Sequence, residues 1–134
     1  MISKNIVDEV IFLAQERKRL YHVYRDKFFP KGHILGSDLF EDSIEYQLQK
    51  EAESKLIEFI SELDYELIKD LQCLMYIGRD NDFSRYQGIE KLIKYRESKD
   101  EEGWHSDKNI EALQMTSKLP LGEYLIKGKE YIGW

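Results

Sequence analysis

Gly78, Arg79, Asp80 and Asp82 are the residues whose types and spacing come closest to a site. A guanidinium could fix a carboxylate or phosphate through its paired donors, and two neighbouring acids could share a cation. The same residues also serve as helix punctuation, with Gly78 a C-cap, Asp82 an N-cap and Arg79 the partner of a nearby acid. An EF-hand is excluded: in a loop starting at Asp80, Arg85 stands where the glycine belongs and Lys91 where the closing glutamate belongs. Glu102, Gly103, Trp104 and His105 have the Glu-x-x-His spacing of di-iron helices. That chemistry needs a second such motif, and neither His22 nor His33 has a glutamate three residues earlier. One cysteine and three scattered histidines give no zinc spacing either, so no metal and no cofactor is expected. Trp104 and His105 remain as candidates for touching a ligand from a loop edge.

Lys18, His22 and Arg25 share one helical face, with Arg17, Arg19, Tyr21, Tyr24, Lys27 and Lys31 close by. Basic residues interleaved with tyrosines can grip a nucleic-acid strand through phosphate charge and base stacking. The same residues also suit the C-terminal half of a helix, where cations meet the negative end of the dipole. Nucleophilic and phosphate-binding signatures are missing: there is no G-x-S-x-G, no G-x-x-x-x-G-K-[ST] and no G-x-G-x-x-G. Cys73 falls in the most apolar stretch and reads as an inert core thiol. No catalytic residue is expected.

The elements that must position these residues are helical, because apolar residues recur at steps of three and four throughout. Ser3 caps a first helix with the stripe Ile6, Val10, Leu13, Leu20 and Tyr24, closed by Pro30 and Gly32. Asp38 and Glu41 have capping-box spacing and open a second, whose inner face is Phe40, Ile44, Leu48, Ala52, Leu56, Phe59 and Leu63. Asp64 caps a third that Gly78 stops; it is apolar nearly all round and belongs in the middle of a bundle. Asp82 or Ser84 caps a fourth carrying Phe83, Tyr86, Ile89, Ile93 and Tyr95. Ser106 or Asp107 caps a fifth with Ile110 and Leu113 inward, and Pro120 opens a sixth with Leu121, Tyr124, Leu125 and Ile132. The expected fold is all-α, a compact single-domain bundle of about six helices spanning 1–134, with Leu71, Leu74 and Met75 buried in its central helix.

With 134 residues, 42% of them hydrophobic and 34% charged, the chain is long enough for one core without disulfides. Its net charge of -6 is uneven. Residues 1–36 hold seven Lys/Arg against four Asp/Glu, whereas the rest hold thirteen against twenty-two. An acidic chain repels polyphosphate, so nucleic acid is not favoured as a partner. The longest nearly apolar stretch, Leu71 to Ile77, is far short of a membrane span, and a cytoplasmic protein with no membrane partner is expected.

Leu71 to Asp82, read as LQCLMYIGRDND, resembles the most recognisable segment of a bacterial family, the domain of unknown function numbered 3775. The resemblance continues through Phe83 and Tyr86 and returns at Pro120, Leu121, Glu123, Tyr124 and Leu125, so that 37–134 carries it in part and 1–36 forms a separate N-terminal helix and loop. This sequence has Asp80 and Asn81 where the family tends to have one glycine. The resemblance implies an all-helical bacterial domain and brings no activity. Seventeen Phe, Tyr and Trp, with Trp104, Tyr131 and Trp134 in a loop or at the end, suggest a surface used for contact. The leading expectation is therefore a small binding or adaptor module with a protein partner, which could be a second copy as a homodimer. A ligand site or enzyme at Arg79, Asp80, Asp82, Trp104 and His105 is the alternative, and a nucleic-acid regulator using Lys18, His22 and Arg25 the third.

Overall fold

Side-chain caps start three of the helices, whereas Asp64, expected to cap the third, stands at its N-cap position without a side-chain bond. In the computed structural model, which describes residues 1–29, 41 and 43–134, the Ser3 and Ser43 hydroxyls accept from the backbone N–H groups of Ile6 and Tyr46, and Asp107 accepts from Asn109. The six helices among the described residues are α1 (Lys4–Phe28), α2 (Ile44–Ser61), α3 (Tyr65–Asp80), α4 (Ile89–Glu102), α5 (Lys108–Thr116) and α6 (Leu121–Ile132). No strand occurs among those residues, and the fold is all-α. None of the helices is long and apolar enough to cross a membrane. The expected stop at Pro30 and Gly32 and the expected cap at Asp38 lie outside the described residues. Glu41 sits in a turn, and Ser43 rather than a capping box opens α2.

The third helix is central, as its all-round apolarity requires. Leu71, Leu74 and Met75 have no exposure, and α3 packs against α4, α5 and α6, while α1 packs against α2 and α6. Its end differs from expectation. Gly78 does not stop α3; the helix runs on to Asp80, and Asn81 takes the left-handed conformation (φ 51°) and donates its N–H to Ile77. Gly78 is needed inside the helix because α6 crosses there: a Cβ would lie 1.7 Å from the Tyr124 carbonyl oxygen. Gly128 of α6 answers it, since a Cβ there would lie 2.5 Å from the Leu74 carbonyl.

Three further expectations are corrected. Neither Asp82 nor Ser84 opens α4, because Asn81, Phe83 (φ 62°) and Gly88 (φ 61°) all leave the helical region, so Phe83 and Tyr86 lie in turns. Phe83 instead packs edge-on against Tyr95, ring centroids 5.3 Å apart. In α5, Glu111, Ala112, Met115 and Thr116 are buried, while Ile110 and Leu113 face outward. In α2 the buried set is Gln49, Ala52, Leu56 and Ile60, which rotates Ile44 and Leu48 out to solvent. Trp104, Tyr131 and Trp134, the aromatics of the loop and the chain end, are half-buried against the chain's own core.

Gly→Ala inside a helix is ordinarily favourable by about 1 kcal/mol. At Gly78 the sign reverses, because the added carbon would force two backbones apart, at a cost of about 3 kcal/mol. Thermal or urea unfolding of Gly78→Ala measures this, with Leu74→Ala, expected to lose roughly 2 to 5 kcal/mol, as the cavity comparison. An unchanged midpoint for Gly78→Ala would contradict the crossing of α3 and α6.

Candidate functional site

Two surface features compete as the site. The first is polar and lies where α3, α4 and α5 meet. Arg79, in the last turn of α3, donates to both oxygens of Asp80 (2.9 and 2.8 Å) and lies over the Tyr76 ring at 4.6 Å. That two-pronged bond holds the Asp80 carboxyl below its ordinary range. Asp82 is exposed in the following turn. Lys99 of α4 donates to Glu102 at 3.3 Å and lies 5.5 Å from the same Tyr76 ring.

Tyr76, Lys99 and Glu102 are shared by two adjoining hollows of about 420 Å³ each, one reaching Arg79, Asp80 and Asp82, the other Trp104 and His105. Both groups of candidate ligand-binding residues therefore line one open groove, although more than twenty residues separate them in sequence. His105 is held by Glu111, a carboxylate buried in the first turn of α5, with Nδ1 2.5 Å from Oε1. Gln72 sits beneath, buried, donating to Gln114 at 3.3 Å while its own Oε1 has no partner.

The groove's Arg79 and Lys99 are spent on Asp80 and Glu102. Cys73 is buried in α3, and burial pushes its thiol up to about 12. No group of His, Cys, Asp or Glu among the described residues could hold a metal.

Beside the groove lies a polar hub that sequence reasoning missed. Arg96 of α4 donates to the buried Asp70 (2.6 Å), to Asp100 (2.8 Å) and to Glu66, and Asp70 accepts the N–H of Ile2 at 2.8 Å. The Trp104 indole donates to Asp100 at 2.7 Å. Burial opposes the charge of Arg96, but the bonds to Asp100, Glu66 and Asp70 outweigh it and raise the guanidinium further. Glu66 is held below its ordinary range by the bond from Arg96; Asp100 is too, despite the opposing effect of its partial burial. Arg96 sits in a run of charges that reads as a solvated face, so no sequence signal singles it out.

The basic cluster of α1 is largely occupied. Lys18 donates to Glu123 of α6, Arg17 to the Thr116 carbonyl at the end of α5 (2.6 Å), Arg19 to Glu16 and Lys27 to Glu45. His22 is half-buried edge-on to Tyr21, and Arg25 is exposed. Arg17, which interrupts the apolar stripe, is thus the tie from α1 to α5.

The second feature is apolar. Phe12 and Val23 of α1 and Ile44 and Leu48 of α2 are 64, 46, 65 and 40% exposed. Between the two helices runs a shallow groove of about 200 Å³ lined by Leu13, Leu20, Leu48 and Ala52 and rimmed by Glu16, Glu51 and Lys55. Sequence spacing puts Ile44 and Leu48 on the inner face of α2, whereas the packing leaves both exposed. No family model, curated protein or solved structure matches the chain.

Arg79 pairs with a carboxylate as expected, but with its own neighbour in sequence, so the pair ties no two helices together. Arg79→Ala should therefore change stability by less than about 1 kcal/mol, whereas Arg96→Met, which strands a buried Asp70, should cost about 2 to 3 kcal/mol. Lowered carboxylate pKa values add stability that is present above their unfolded pKa and lost as pH falls through the folded one. The native protein should lose that share as pH falls below the ordinary carboxylate range, and Arg96→Met should flatten this acid limb in urea titrations. Equal losses for both variants would dismiss the hub.

Proposed function

We propose that the protein is a small helical binding module that works through protein contacts made by the outer face of α1 and α2. The observation that carries this reading is that four large apolar side chains, Phe12, Val23, Ile44 and Leu48, are left to solvent on two adjacent helices that flank an apolar groove with a charged rim. A lone exposed leucine is ordinary, whereas several such side chains on one side of a small domain point to a contact surface. At high dilution the native chain should raise the fluorescence of bis-ANS, and Phe12→Ser with Leu48→Ser should remove most of that signal at little cost in melting temperature. An undiminished signal in the folded double variant would overturn the reading.

A ligand role for the polar groove is the second reading, favoured by the unpartnered Gln72 Oε1 beneath it. Arg79 and Lys99 stand against Asp80, Asp82, Glu102 and Glu111 along its walls, so its formal charge is negative, and Asp82 and the Gln72 Oε1 add acceptors to it. The ligand class that fits is a small neutral or cationic hydrogen-bond donor. In a Trp134→Phe background, Trp104 emission should respond saturably to millimolar methylguanidinium and not to phosphate. A response to neither, or equally to both, would remove the groove as a site.

A further inference from the structure

The apolar face of α1 and α2 also carries a charge pattern that selects one occupant. The two helices run antiparallel, in a register fixed by Lys27 with Glu45 (2.6 Å), Tyr24 against Tyr46 (centroids 5.5 Å) and Arg17 near Glu53 (3.8 Å). That register sets Val23 level with Leu48, Arg19 level with Glu51 and Glu16 level with Lys55. Along its length α1 holds six Lys/Arg against four Asp/Glu, and α2 two against four, so a net +2 rail lies beside a net -2 rail.

We infer that the face is covered by a second copy of this chain, related by a two-fold axis running along the helices, so that α1 of each copy lies over α2 of the other. This rests on the reading of the face as a contact surface and names the partner. Rotation about an axis in that direction preserves height and exchanges the two rails. Each group then meets what already stands level with it: Val23 faces Leu48 of the other copy, Glu16 faces Lys55 and Arg19 faces Glu51. Val23 and Leu48 thus supply the apolar match, and Glu16, Arg19, Glu51 and Lys55 each meet an opposite charge, while Phe12 and Ile44 lie toward the two ends of the face. A two-fold axis across the helices would set α1 on α1 and bring the positive rails together. The residues of α2 on this face, from Ile44 to Lys55, span about 17 Å at 1.5 Å per residue. A chain of net charge -6 repels its own copies in most orientations, and a self-matched face is where that repulsion is least.

Sedimentation equilibrium over a concentration series, with the full chain, tests the pairing. The native protein should dimerise, and Glu16→Lys and Lys55→Glu should each weaken the dimer roughly tenfold or more, since each replaces two attractive contacts with two repulsive ones. An equimolar mixture of the two folded variants should restore it, because both cross-contacts then become Lys with Glu. Helical circular dichroism separates a folding defect from lost association, and Arg19→Glu mixed with Glu51→Arg provides a second pair if either first variant fails to fold. A native monomer that still binds bis-ANS on this face would overturn the self-pairing and leave the binding-module reading with a different protein partner. A monomer that binds none would overturn both. A dimer indifferent to the single charge reversals, or not restored on mixing, would overturn the arrangement.

Discussion

The close crossing of α3 and α6 is the constraint on which the rest of the structure depends. With no side chain at Gly78 or Gly128, the backbone of each helix sits against the carbonyls of the other, and Leu74 is clamped between them. This leaves α3 with partners on its remaining sides and turns a helix of modest length into the floor of the whole bundle. The end of α3, and with it the position of Arg79 and Asp80, is fixed by that crossing two residues earlier. The cap then falls to Asn81, one of the residue types that tolerates a left-handed backbone.

Polar contacts complete what packing begins. Asp70 joins the backbone at Ile2 to Arg96 of α4, and Arg96 in turn reaches Asp100 and Glu66. One buried carboxylate thereby connects the start of the chain, the central helix and α4. Arg17 does the same for α1 and α5. A buried carboxylate without its guanidinium would be costly, so these contacts restrict which arrangement of the helices is tolerable more than they add net stability.

The sequence discloses helices well and helix faces poorly, for a physical reason. The existence of each described helix follows from spacing, the starts of α1 and α5 follow from Ser3 and Asp107, and the centrality of α3 follows from its lack of a polar side. The faces of α2 and α5 do not follow, because each carries two apolar stripes and only tertiary packing decides which is covered. In α2 the stripe with Gln49 wins over the one with Ile44 and Leu48; in α5 the buried Glu111 displaces Ile110 and Leu113. Gly78 illustrates the same limit, since a helix stop and a helix crossing ask for the same residue. Arg79, Asp80, Asp82, Trp104 and His105 stand out by type. What joins them, Tyr76 with Lys99 and Glu102, depends on how α3 and α4 are rotated, and the apolar outer face of α1 and α2 is legible only after the core has been assigned.

The crossing at Gly78 also bears on the order in which the fold is assembled. Some forty residues, including all of α4 and α5, separate the end of α3 from the start of α6. During synthesis α1, α2 and α3 emerge long before the helix that closes over Leu74, and the most apolar helix of the chain waits with one side uncovered. Contacts between distant segments carry a loop-closure cost and form slowly. The nascent chain therefore passes through a stage in which its adhesive surface is internal residues rather than the outer face. Growing chains crowded on one messenger meet each other in that stage, a hazard that depends on translation rate and temperature rather than on the stability of the finished protein.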